Sequence, residues 1–112
     1  MLGEVEVAGG VTMARLHGEL DLVNVDALRE LVAGLVATPT PQVVIDLHDV
    51  PFVDVHSLSV ILGAADELRE SQRQLVIAGV SNSVRRLCQL LNAEDILAPP
   101  PQPPREAVPP AC

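Results

Sequence analysis

Two short apolar runs, "QVVIDL" from Gln42 and "QLVIAGV" from Gln74, constrain this chain more than any other feature. Both are rich in β-branched residues and show no polar alternation, the pattern of strands covered on both faces. Between them, Leu58, Ile61, Leu62, Ala65 and Leu68 recur at helical spacing after "HDVPFVD". A strand, a helix and a strand in that order form a parallel crossover unit.

The remaining segments extend the pattern. "EVEVAGGVTMARLHGEL" reads as a hairpin: Val5 and Val7 alternate with Glu4 and Glu6, and Gly9-Gly10 supplies the turn. In "HGELDLVN", Gly18 breaks the second strand, and Asp21 and Asn24 offer caps for a helix running from Asn24 to Ala37. That helix carries Ala27, Leu28, Leu31, Val32 and Leu35 on one stripe and ends at "TPTP". "SNSVRRLCQLLN" predicts a third helix, capped by Ser81 or Asn82, burying Val84, Leu87, Cys88 and Leu91, and stopping at Asn92. "AEDIL" predicts a short last strand. From Ala98 onward seven prolines in fifteen residues exclude a helix or central strand and predict an extended, disordered tail. The expected architecture is an α/β domain over residues 1–97 with a mixed sheet, followed by a tail over 98–112.

Composition narrows the function. A chain of 112 residues has room for one core. Hydrophobic residues are 48% of it and aromatics 1%, the single Phe52, which leaves little scope for base stacking. Seven Arg against fifteen Asp plus Glu give a net charge of −8, which disfavours nucleic acid and anionic membranes. No apolar run is long enough to span a bilayer, and no signal peptide is evident, so a cytoplasmic domain is expected. Cys88 and Cys112 form no disulfide framework. The tail is long enough to bring Cys112 near Cys88, but the buried helical position expected for Cys88 opposes a bond between them.

"PFVDVHSLSVILGA", Pro51 to Ala64, holds the chemical candidates. Asp54, His56 and Ser57 are the residue types of a hydrolase triad, yet near-adjacent positions at a helix start splay apart and cannot form a relay. His17, His48 and His56 lack local metal-ligand spacing, and no metal or other cofactor is expected. Arg85-Arg86 reads as a solvated pair on the third helix.

Four stretches, "LHGELDLVNVDALRELV", "VVIDLHDVPFVD", "LSVILGAADELRE" and "LVIAGVSNSVRRLCQLLNAEDIL", together resemble the STAS domain of bacterial anti-sigma-factor antagonists. The Gly-Glu-Leu-Asp motif at Gly18 to Asp21 and the pattern from Ile45 to Asp54 carry the likeness. The resemblance implies a four- or five-stranded mixed sheet with about three helices packed mainly on one side. It implies a binding module, not an enzyme, that engages an anti-sigma factor of the serine-kinase type and so frees a sigma factor. It also allows a homodimer. In the family the kinase phosphorylates a Ser or Thr directly after the motif aspartate. Here the pattern Asp-Ser/Thr-x-Gly becomes Asp54-Val55-His56-Ser57, so the acceptor position is Val55 and the glycine position is Ser57. The family's C-terminal helix is displaced by the proline tail.

The resemblance places the docking segment at Asp21, His48, Asp54, Val55, His56 and Ser57. Three readings follow: an antagonist without its off-switch, an antagonist phosphorylated instead at Ser57 or Ser59, or an interaction subunit of a lipid-transport or signalling complex. The first needs no further assumption.

Overall fold

The computed structural model describes residues 2–98. β1 (Gly3–Ala8) and β2 (Val11–His17) form the hairpin, and α1 (Val25–Val36) leads to β3 (Gln42–Asp49). α2 (Val55–Glu70), β4 (Gln74–Ala78) and α3 (Asn82–Leu90) follow. The strands lie in the order β1-β2-β3-β4; β1 is antiparallel to β2, and β2, β3 and β4 are mutually parallel. This is the mixed α/β sheet expected, with its two helical crossovers.

Gly9 and Gly10 have φ of 59° and 82°, the left-handed values a two-residue hairpin turn demands. α2 starts at Asp54 and α3 at Ser81; their side chains accept the backbone N–H of Ser57 and Val84 respectively. α1 differs. Asn24 occupies its N-cap position without bonding a helical N–H, and instead donates its amide to the Glu19 carbonyl. The turn before α1 is held by Asp21, whose Oδ1 accepts the N–H groups of Val23 and Asn24.

One face of the sheet carries the core. Ala14, Leu16, Val43, Ile45, Leu47, Leu75 and Ile77 are buried there with Leu28, Val32 and Leu35 of α1, Leu58, Ile61 and Leu68 of α2, and Val84 and Cys88 of α3. All three helices therefore pack on the same side. The in-register neighbours Met13, Val44 and Val76 point to the other side, where they are half-buried and join no part of this core. Among the described residues the unbroken apolar runs thus mark strands covered by helices on one face only, the one-sided packing that the resemblance implied. The apolar side chains of the second face are only half-buried, and periodicity cannot distinguish such a face from one under a helix layer.

Other local expectations also shift. "AEDIL" forms a 3-10 turn over Glu94–Ile96, after which Leu97 makes a single parallel bridge to Ile77. Leu91, expected in the buried stripe, is exposed because α3 ends at Leu90 and the chain turns at Asn92, whose φ is 55°. The tail beyond Ala98, with Cys112, lies outside the described residues. Cys88 itself is fully buried, and that burial pushes its thiol pKa up.

At the amino ends of the parallel strands, polar groups tie α1 to the sheet. The buried Thr12 hydroxyl meets Thr40 Oγ1 at 2.7 Å and Thr38 Oγ1 at 3.1 Å. Arg73 donates to the carbonyls of Thr40 at 2.6 Å and Val36 at 2.8 Å. One guanidinium thereby satisfies a carbonyl at the end of α1, where a positive charge is favoured.

Candidate functional site

The two motifs of the sequence meet at the carboxyl ends of the parallel strands, where loops of α/β sheets collect binding groups. Leu20, fully buried, pairs with Val53 in a parallel bridge. The Leu20 N–H donates to the Phe52 carbonyl and the Asp54 N–H donates to the Leu20 carbonyl, each at 3.0 Å. This stitch sets the Gly18–Asp21 segment beside the start of α2, although more than thirty residues separate them in sequence. The spacing within either motif gave no sign of it.

Asp54 is the N-cap of α2, and its Oδ1 accepts the Ser57 N–H at 2.7 Å. That bond is the main reason its carboxyl titrates below the ordinary value. Partial burial opposes the shift; the nearby Ser57 hydroxyl, His56 and the Leu22 N–H support it. The Ser57 Oγ is fully buried and meets no partner at hydrogen-bond geometry.

Val55 opens α2 with 52% of its surface exposed. His56, also exposed, reaches across to α1, where Arg29 Nη2 lies 3.1 Å from its Nε2. A guanidinium can only donate, so Nε2 is the acceptor in this contact. Ser59 turns its hydroxyl onto the Val55 carbonyl at 2.9 Å. His48 is highly exposed at the end of β3, with Asp49 3.2 Å from its Nδ1. The β3 end is further shaped by Gly79, where a side chain would press on Asp46 Oδ1 at 2.8 Å and on His48 at 3.0 Å.

The triad types do not form a relay: Asp54 holds a backbone N–H, His56 pairs with Arg29, and the Ser57 hydroxyl is buried and unpaired. The three histidines likewise go to separate neighbours, His17 lying 3.9 Å from Glu4. Among the described residues no three His, Cys, Asp or Glu side chains converge on a metal-sized site.

Sequence reasoning missed the apolar character of this end. Leu22 and Val23, just past the Asp21 turn, are 67% and 88% exposed, and Phe52 is 49% exposed. With Val55 they sit on the two stitched segments, which also carry Asp21, Asp54 and His56. Exposed bulky side chains on these two adjacent segments make this end a candidate interaction surface. The signal was present in "LDLVN" and "PFVD", but only the stitch brings the two together.

A mixed four-stranded sheet with the helices described packed on one face defines a class of compact α/β domains. The STAS domain model matches residues 4–107, and the chain belongs to that family. It is 26% identical over 83 residues to the anti-sigma-B factor antagonist of Staphylococcus aureus, covering 74% of this chain and 77% of the relative. A crystal structure of an anti-sigma factor antagonist from Mycobacterium paratuberculosis superposes with a TM-score of 0.78 at 26% identity, covering 88% of this chain and 85% of that one. The unphosphorylated anti-sigma factor antagonist SpoIIAA shares the fold, with a TM-score of 0.74 at 19% identity over 95% and 92% of the two chains. Among the described residues no helix is long and apolar enough to cross a membrane.

Proposed function

We propose that this chain is an anti-sigma-factor antagonist without enzymatic activity. It docks on an anti-sigma factor of the serine-kinase type through the Leu22, Val23, Phe52 and Val55 surface, and thereby frees a sigma factor. One observation carries the reading: the residue after the N-cap aspartate is an exposed valine. A hydroxyl at this helix start would be open to a kinase, and a phosphate there would bring about −1.5 to −2 charge onto the docking surface. Valine cannot take that charge, and it adds apolar contact to the patch instead. The antagonist therefore stays in its binding-competent state.

Burial weighs against Ser57 as a substitute acceptor, because the 0% exposed hydroxyl is out of reach unless the first turn of α2 opens. The relatives with matching names support the antagonist reading over a subunit of a transport or other signalling complex.

Incubation with the cognate kinase and labelled ATP is expected to leave the native chain unlabelled. Val55→Ser is expected to be labelled at the new hydroxyl and to lose affinity for the anti-sigma factor when phosphorylated. Labelling of the native chain at Ser57 or Ser59 would overturn the constitutive reading. A Val55→Ser chain that binds the kinase yet is never labelled would show that this position is not its target.

A further inference from the structure

β1 is the outer strand of the sheet, and the hairpin turn fixes which of its backbone groups are used. A two-residue turn makes Ala8 and Val11 a mutually hydrogen-bonded pair. Alternation along the observed register then directs the N–H and C=O groups of Glu4, Glu6 and Ala8 toward β2. The 2.8 Å bond from His17 N–H to the Leu2 carbonyl continues the same alternation. The N–H and C=O groups of Gly3, Val5 and Val7 consequently point away from the sheet. Among the described residues no strand pairs with them.

The side chains of this edge divide by face. Val5 and Val7 stand opposite Ala14 and Thr12 on the helix-covered side, yet remain 47% and 58% exposed at the margin of the core. Glu4 and Glu6 point to the other side and are exposed. Arg15 stands across from Glu4, but Glu6 faces Met13 and has no cross-strand cation. Unpaired backbone groups, an apolar pair on one face and carboxylates on the other form a template for strand addition.

We infer that the β1 edge docks an extended segment of another protein in which apolar and basic residues alternate, adding to the sheet as a fifth strand. The apolar residues would cover Val5 and Val7 while the cations lie beside Glu4 and Glu6. A second copy of this chain fits poorly: antiparallel β1 strands centred on Val5 set Glu4 against Glu6 twice, and centring on Glu6 sets it against itself. Like charges directly opposite one another destabilise a sheet. Residues 99–112 fit poorly too, since seven of these fourteen are prolines, which lack the N–H a ladder needs. The edge is separate from the Val55 surface, and the inference does not rest on the proposed function.

The test uses the full chain and a fluorescein-labelled peptide with three Val-Lys repeats. Saturable binding is expected, with slowed amide exchange confined to the β1 edge, above all at Gly3, Val5 and Val7. A peptide of three Val-Glu repeats is expected to bind at least about tenfold more weakly. Replacing Glu4→Gln and Glu6→Gln together is expected to weaken the basic peptide, as is Val5→Pro, which removes an outward N–H while keeping the bonds to β2. The charge variant keeps the test open if the proline variant fails to fold. Equal binding of the two peptides, protection mapped to Leu22 and Phe52 instead, or indifference to the paired glutamine changes would overturn the inference.

Discussion

Asp54 holds the start of α2 through one 2.7 Å hydrogen bond from the Ser57 N–H, and much of the site depends on that carboxylate. Replacing it, Asp54→Ala, removes the cap and is expected to cost about 0.5–2 kcal/mol in urea unfolding. The pH dependence has a definite sign. The folded carboxyl titrates below its ordinary value of 3.8, so its stabilisation is complete above that value. It is lost as pH falls through the lower, folded value. Stability profiles of the native chain and Asp54→Ala should therefore converge in acid, and a gap that persists undiminished to the lowest pH would deny the carboxylate this role. Beside it, Val55 contributes by what it lacks: an apolar side chain in the first turn of α2 offers contact surface and no acceptor oxygen.

At the scale of elements, α1 is the helix least secured by its own sequence. No side chain caps its first turn, and its other end relies on Arg73, which comes from the turn before β4. Arg73 also bonds the Thr40 carbonyl, beside the buried contact of Thr40 with Thr12. Arg73→Ala is expected to lower stability by about 2 kcal/mol, since hydrogen bonds to a charged group are lost and part-buried carbonyls are left unpaired. Amide exchange should quicken first at the end of α1, around Val36 and Ala37. Uniform quickening over the chain would mean that Arg73 supports the whole fold and not this helix end. α2 needs no such help, having Asp54 at its start and a stripe of Leu58, Ile61 and Leu68 against the sheet.

Across the whole molecule, the proposed docking end and the core are separable, because Leu22 and Phe52 are exposed and take no part in the core cluster. The double variant Leu22→Ser, Phe52→Ser is expected to lose at least about tenfold in anti-sigma-factor affinity, as truncation of central apolar contacts does elsewhere. Its urea midpoint should stay close to that of the native chain. A midpoint that falls with the affinity would assign these residues to folding, and unchanged affinity would move the docking surface elsewhere. The sequence by itself determined the order of β1 to β4 and of the three helices between and after them, the Gly9-Gly10 turn and, within one residue, the cap at the start of α3. Each of these rests on contacts within a few residues, where periodicity and turn chemistry act directly. Only the tertiary structure decided that Leu20 stitches the two motifs together, that His56 meets Arg29 and that Ser57 is buried while Val55 is exposed. Those outcomes depend on which distant segments come to lie side by side, and a burial pattern along one segment carries no record of its neighbours.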